Sequence, residues 1–223
     1  MTGRFRKVHK TVKQKNMKKI NIETWKRRDH FKLFSQFEEP FFGVVVSIDC
    51  TKAYANAKAE KKSFFLHYLY RALKAANSIE EFRYRILNNE VILHDQISVS
   101  TTINRPNGTF GFGYFDYHND ESIFIADAQK AIQEVQNTEG LTPSQEGASE
   151  IHFSAIPWID FTSLSHARSF SFPDSAPKIS FGKVTEKDGI RTMPVSIHLH
   201  HGLGDGYHVG LFVEQFQALM NEG

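Results

Sequence analysis

Apolar positions along this chain recur with two periods, and the shifts between them outline its elements. Residues 24–34 read as an N-capped helix, with Thr24 at the cap and Trp25, Phe31 and Phe34 near one stripe. A β-branched run over 42–49 (FGVVVSID) predicts a strand. From 52 to 76 the pattern is helical, with Phe64, Leu66, Tyr68, Leu69 and Leu73 mostly three or four positions apart. Segments 82–87 and 90–94 flank Asn88-Asn89, a hairpin signal.

Further along, 97–103 and 109–117 alternate as strands do around a turn at Pro106-Asn107-Gly108. A helix is expected over 123–135, a polar loop over 136–149 and a strand over 150–156 that ends at Pro157. Residues 169–175 read as loop, and 179–184 and 191–200 as strands joined by Lys187-Asp188-Gly189. A closing helix over 206–220 carries Val209, Phe212, Val213, Phe216 and Leu219 on one face. Helices and strands mix without regular βαβ alternation. That predicts an α+β, single-domain two-layer sandwich, a mixed β-sheet packed with helices.

Composition narrows the class. A chain of 223 residues buries enough apolar surface to fold without disulfides or a structural metal. Cys50 is the one cysteine, so a disulfide framework is excluded and a reducing, cytoplasmic setting is expected. No apolar run approaches the ~20 residues that span a bilayer, so no membrane partner is expected. The net charge of +2 hides an uneven distribution. Residues 1–20 hold eight Lys and Arg and no acid, whereas the remainder sets 19 against 25 acids, a net of −6. The basic residues 1–16 could bind nucleic acid, but they read more simply as a solvated, disordered leader before a body that starts at Met17 and runs over 17–223. That acidic body argues against nucleic acid as a partner. The 20 Phe are mostly core by expectation, with Phe41-Phe42 and the Phe110, Phe112, Phe115 series able to line an aromatic pocket.

The chemistry concentrates at His198-Leu199-His200-His201-Gly202-Leu203-Gly204-Asp205-Gly206-Tyr207-His208, which holds four of the eleven histidines. On a strand His198 and His200 share one face while His201 turns to the other. Imidazoles suit zinc, but no recognised ligand spacing is present, so no metal is expected. The glycines then permit a tight turn, and Asp205 stands where an N-cap or an ion-pair partner belongs. Histidine beside such a turn suits proton abstraction near neutrality. A buried, satisfied histidine with a capping aspartate would fit the same spacing.

This segment resembles the HHxxxDG motif of the coenzyme A-dependent acyltransferases, and with Tyr207-His208-Val209 it is similar to the trimeric chloramphenicol acetyltransferases. Three more matches follow in order: Trp25-Lys26-Arg27-Arg28-Asp29-His30-Phe31, Phe153-Ser154-Ala155-Ile156-Pro157-Trp158, and Pro177-Lys178-Ile179-Ser180-Phe181-Gly182-Lys183. The resemblance runs from about Met17 to the C-terminus. It implies a coenzyme A-dependent acyltransferase fold and acetyl transfer from acetyl-CoA to a hydroxyl of chloramphenicol, inactivating the antibiotic, with sites between the subunits of a homotrimer.

By that resemblance His201 is the general base and Ser154 donates to the tetrahedral oxyanion, while Asp205 and Arg27 form an ion pair that shapes the site. Phe34, Phe110 and Phe41 are implied walls of the acceptor pocket, and Ser180 helps to polarise it through water. Trp158 and Lys183 are implied contacts for coenzyme A. The chain departs from the family pattern at four places: His198 stands for a common Gln, Gly202 for Ala or Ser, Val184 for an aromatic, and His166 for an aliphatic wall residue. These departures leave the chemistry intact and put the acceptor and the affinity for the coenzyme in question. A relative acting on a different small hydroxyl acceptor is the alternative.

Overall fold

Eleven residues form β10 (Ile190–His200), the strand around which the sheet is built. It pairs antiparallel with β2 (Phe41–Asp49) on one side and β8 (Lys178–Phe181) on the other. Beyond β8 the sheet continues in parallel through β7 (Glu150–Ala155) and β5 (Ser98–Asn104), then antiparallel to β6 (Phe110–Phe115). The order is β2-β10-β8-β7-β5-β6, with β9 (Thr185–Lys187) folded back on the start of β10. This computed structural model describes residues 17–144, 148–168 and 174–222. The expected arm at 1–16, and most of the loop expected at 169–175, lie outside the described residues.

The pleat of β10 sorts its residues onto two faces. Val195, Ile197 and Leu199 join the main core, together with Ile179, Phe181, Ile151 and Phe153 from the neighbouring strands. Helices α2 (Thr51–Ala59), α3 (Phe64–Asn77), α5 (Glu121–Gln136) and α6 (Gly206–Met220) all contribute to that core, which makes them one layer against one sheet face. Ser196, His198 and His200 point to the other face. A smaller core of Phe31, Tyr84, Val91 and Leu203 joins α1 (Arg28–Phe34) to a second sheet of β1 (Met17–Lys19), β4 (Glu90–His94) and β3 (Tyr84–Leu87). The β3–β4 turn has positive φ at both Asn88 and Asn89, the backbone that a tight hairpin requires.

Several expected boundaries move, each for a local reason. The helix expected from Thr24 starts only at Arg28, because Asn21 nucleates a 3₁₀ turn (Ile22–Thr24) by accepting from Glu23 N–H. Trp25 is then extended and packs on Tyr84, to whose hydroxyl its indole N–H donates at 3.2 Å. The helix expected over 52–76 is two helices. Lys61 adopts φ +56 and Lys62 N–H reaches back to Ala57 O at 2.8 Å, a left-handed helix end, before the Ser63 hydroxyl caps α3. Phe82 belongs to a helical turn, α4 (Glu80–Arg83), rather than to β3. The strand expected over 179–184 stops at Phe181: Gly182 N–H still donates to Pro194 O at 2.8 Å, but Pro194 has no N–H to return to the ladder, and Lys183 N–H turns to Ile159 O.

Phe212 is fully buried and stacks on both Phe82 and Phe216. Phe212→Ala should therefore lose about 3–5 kcal/mol of unfolding free energy. Ile190→Ala, at a residue 52% exposed, should change it by less than about 0.5 kcal/mol. Urea denaturation of the two variants checks the difference.

Candidate active site

The site is built where β10 stops. His201 N–H donates to Pro40 O at 2.8 Å, and Leu203 and Gly204 N–H groups turn back to His200 O at 2.8 and 3.1 Å. The two glycines bring the turn this close. A Cβ on Gly204 would meet Leu199 Cδ2 at 2.4 Å, and one on Gly202 would meet the His200 ring at 3.1 Å. Asp205 then caps α6, its Oδ1 accepting from Tyr207 N–H at 3.1 Å, while His208 Nδ1 lies 3.1 Å from the Asp205 N–H. Strand β10 ends at His200, so His201 occupies the turn instead of the opposite strand face.

The His201 ring lies flat on Phe34, with centroids 4.0 Å apart and planes at 3°, and Phe42 closes on it at 4.6 Å. Its Nδ1 is buried with no hydrogen-bond partner among the described residues. Arg27, 5% exposed, reaches the turn with both guanidinium nitrogens. Nη1 donates to Asp205 Oδ2 at 2.9 Å and Nη2 to His201 O at 3.1 Å. Burial works to raise the Asp205 pKa, but the Arg27 hydrogen bond and the charges of His208 and Arg27 outweigh it and hold the carboxyl below its ordinary value.

A row of hydroxyls crosses the helix-free face of the sheet. Ser196, Ser180 and Ser154 are register partners across β10, β8 and β7, and Thr102 of β5 lies beside Ser154, just past the Thr101–Phe153 pair. Ser154 and Thr102 hydroxyls lie 3.4 Å apart. Ser180 is fully buried, and its hydroxyl has no partner among the described residues. One pleat away His198, Lys178 and His152 form a second row, with Lys178 paired to Asp174. Burial, reinforced by Lys178, pushes His152 down to about 4. His166 falls to about 4 through burial and then the neighbouring His198, and His200 does so through burial and then Arg168. The ring of His198 lies over Gly43, where a Cβ would sit 2.4 Å from Nε2, and His166 packs edge-on against it at 4.7 Å.

The structure brings together His201, Phe34, Arg27 and Asp205, and separately Ser154 and Ser180. It does not join the two groups within one chain. Ser154 stands two strands from β10 and five residues short of His201, so at ~3.3 Å per residue and ~4.8 Å per strand their α-carbons are on the order of 15–20 Å apart. Phe110 lies on β6, at the sheet edge opposite β2, and is 43% exposed. Phe41 is covered by the Arg168 guanidinium at 3.6 Å and the Lys178 ammonium at 4.6 Å, with Arg168 also paired to Glu39 at 2.9 Å. Trp158 and Lys183 are both exposed on loop segments joined by Lys183 N–H to Ile159 O at 2.8 Å. The sequence named Phe42 only with Phe41 as a possible pocket wall and did not single out Thr102 or Arg168. Thr102 was readable only as a strand residue, and Arg168 carried no signal. Among the described residues, no group of three or more His, Cys, Asp or Glu is placed to hold a metal ion, and no helix is long and apolar enough to cross a membrane.

A mixed sheet with helices on one face and a histidine turn beyond its longest strand is the fold of coenzyme A-dependent acyltransferases. A dihydrolipoamide acetyltransferase from Azotobacter vinelandii superimposes with a TM-score of 0.65 over 87% of this chain and 86% of its own, at 15% identity, a likeness of fold. The model of the chloramphenicol acetyltransferase family matches residues 15–217, and the chain belongs to that family. It is thus an acetyl-CoA-dependent acetyltransferase. Chloramphenicol acetyltransferase 2 of Haemophilus influenzae is 29% identical, covering 92% of this chain and 97% of its own, and the enzyme of Proteus mirabilis is 27% identical over 92% and 94%. A solved chloramphenicol acetyltransferase structure aligns with a TM-score of 0.82 and 32% identity, covering 92% of this chain and all of the other.

The buried histidines set a direction for acid sensitivity. His152, His166 and His200 stay neutral in the folded protein down to about pH 4, whereas an unfolded imidazole protonates near 6.5. Between those values the unfolded chain binds more protons, so stability falls as pH falls through this window and is unaffected by these groups above it. Urea denaturation from pH 7 to 5 should show an uptake of up to about three protons on unfolding. His200→Gln should lower that slope by up to about one proton whatever it does to the midpoint.

Proposed function

We propose that the protein transfers the acetyl group of acetyl-CoA to a hydroxyl of chloramphenicol, inactivating the antibiotic, as a homotrimer with sites between subunits. The observation that carries this reading is the separation of His201 from the Ser154 row within one chain. Each group is half of a catalytic set, and a second copy supplies the other half. The edge strand β2, whose outer side has no partner strand among the described residues, lies beside His201 and leaves room for that copy.

In this mechanism acetyl-CoA supplies the acetyl group as a thioester. The Phe34 stack fixes the His201 ring plane, and Arg27 fixes its carbonyl. The ring takes the acceptor's hydroxyl proton as that oxygen attacks, a step in which a positioned base contributes about 10²–10⁴-fold. The proton passes on to the departing thiolate. Ser154 donates to the carbonyl oxygen as it gains negative charge, and the unpartnered Ser180 hydroxyl adds a second polar group through water. Arg27 and Asp205 hold the turn and take no proton. Transfer is direct within a ternary complex. Trp158 and Lys183 offer an exposed aromatic surface and a cation, which fit coenzyme A and its phosphates. Phe34, and Phe110 across the shared site, form apolar walls.

One observation favours a second acceptor within the same chemistry. The Phe41 wall is covered by Arg168 and Lys178, so the acceptor side is more polar than a neutral aromatic compound needs. A thiol-release assay with acetyl-CoA and chloramphenicol decides between them. His201→Ala should reduce turnover by at least about 10²-fold, and Ser154→Ala should lower kcat by about 10²–10³-fold with little change in either KM. Saturable release that depends on His201 supports the full reading. Release only with other small hydroxyl compounds keeps the mechanism and removes chloramphenicol.

Shared sites also predict complementation. Co-expressed His201→Ala and Ser154→Ala chains should form mixed trimers with about a quarter of wild-type activity, because each site draws its histidine and its serine from different copies. No activity above that of either variant alone would place both residues in one chain's site.

A further inference from the structure

Beneath the His201 turn, five side chains close a ring. Arg27 Nη1 holds Asp205 Oδ2 at 2.9 Å, and Asp205 Oδ1 lies 2.9 Å from His208 Nδ1. On its other side His208 Nε2 lies 3.2 Å from Glu81 Oε1, and Lys26 Nζ approaches the same oxygen at 3.1 Å. The peptide bond between Lys26 and Arg27 completes the circuit. Three segments distant in sequence meet here: the entry to α1, the short helix α4 and the first turn of α6. Glu81 is 5% exposed and His208 8%, so neither can fall back on water.

We propose that His208 is a positioning residue for acetyl transfer, coupling Glu81 to Asp205 and so holding Arg27 on the His201 carbonyl. This rests on His201 being the base. Capping alone does not account for the side chain found. A residue at this place in α6 needs one acceptor for the Asp205 N–H, which a short amide supplies as well as an imidazole. The histidine adds a second nitrogen on the far side of its ring, and that nitrogen lies 3.2 Å from a buried carboxylate oxygen that has no aligned hydrogen bond among the described residues. Without it, Glu81 keeps only Lys26, whose side chain is 69% exposed, a partner weakened by water. The Glu81 Cβ also lies where a side chain on Gly204 would touch it at 3.4 Å, so α4 and the turn are packed without a gap.

The lever from His208 to His201 is short and stiff. Both oxygens of Asp205 are held, Oδ2 by Arg27 and Oδ1 by Tyr207 N–H, and its own N–H donates to His208 Nδ1. The guanidinium is a rigid planar fork, so a shift of Asp205 that moves Nη1 must also move Nη2, which is bonded to His201 O. Displacing this carbonyl tilts the imaginary line from base to acceptor, and a misplacement near 1 Å can cost about 10²-fold in rate.

The test compares His208→Asn, His208→Ala, Asp205→Asn and the double variant Asp205→Asn/His208→Asn, measuring kcat, the KM for acetyl-CoA and Tm, with His201→Ala assayed alongside. His208→Asn keeps an acceptor for the Asp205 N–H but cannot reach Glu81. It should lower kcat about 10-fold, with KM within about twofold and Tm close to wild type. The double variant should be no slower than Asp205→Asn, since both act through the same fork. Wild-type kcat in His208→Asn, with only the Tm of His208→Ala reduced, overturns the proposal and leaves a helix cap. Multiplying losses in the double variant overturn it too. If His201→Ala keeps full turnover, the base assignment fails and this proposal falls with it, an outcome distinct from the other two.

Discussion

The site depends on a single buried guanidinium whose two nitrogens serve different masters. Arg27 joins the Trp25–Phe31 motif to the start of the closing helix by pairing with Asp205, and the same fork binds the carbonyl of His201. An arginine in this place is nearly excluded from water, so its charge has to be met by fixed partners, here Asp205 at Nη1 and the His201 carbonyl at Nη2. That requirement ties α1, the turn after β10 and α6 into one geometry. A lysine would meet the charge but could not hold two acceptors in a fixed plane. The small core of Phe31, Tyr84, Val91 and Leu203 then has a clear purpose in the architecture, because it fixes the base of α1 from which Arg27 reaches.

The second constraint is the pleat of β10. Alternation sends Val195, Ile197 and Leu199 into the helical layer and leaves Ser196, His198 and His200 on the helix-free face. Because Ser180 and Ser154 share this register, one line of hydroxyls follows from one strand's alternation. The long run of β10 also carries His201 well beyond the row. On the mechanism we propose, the base and the oxyanion donor thereby stand at the two ends of a diagonal across one chain's sheet.

Much of this was legible in the residues. The closing helix, its Asp205 cap and both Asn88-Asn89 and Asp188-Gly189 turns depend on local chemistry, and they fall where the sequence indicates. The Arg27–Asp205 contact followed from family resemblance, since no local pattern links residues so far apart. What failed locally failed for tertiary reasons. Thr24 looked like a helix cap because the pull of Tyr84 on Trp25 is invisible in one segment, and the helix over 52–76 looked continuous because a left-handed Lys61 has no compositional mark. Thr102 joined the hydroxyl row through a parallel pairing between β5 and β7, whose register no turn specifies.

The departures from the family pattern acquire a common meaning in the structure. His198 and His166 are not isolated substitutions, since their rings pack on each other beside Lys178 and Arg168, over the aromatic ring of Phe41. His198 in turn requires a neighbour without a side chain, which Gly43 on β2 provides. These residues lie a pleat away from Ser180, outside the Arg27–Asp205 clamp. This face of the sheet therefore carries polar and cationic groups at the departing positions, while the Arg27–Asp205 clamp keeps the residues that the resemblance implies. Burial keeps His166 neutral near pH 7, so this departure brings hydrogen-bonding capacity to the face without an added charge. On the mechanism we propose, acceptor choice and acetyl transfer are thus separable in this chain, and a change of acceptor need not pass through any residue that touches the turn.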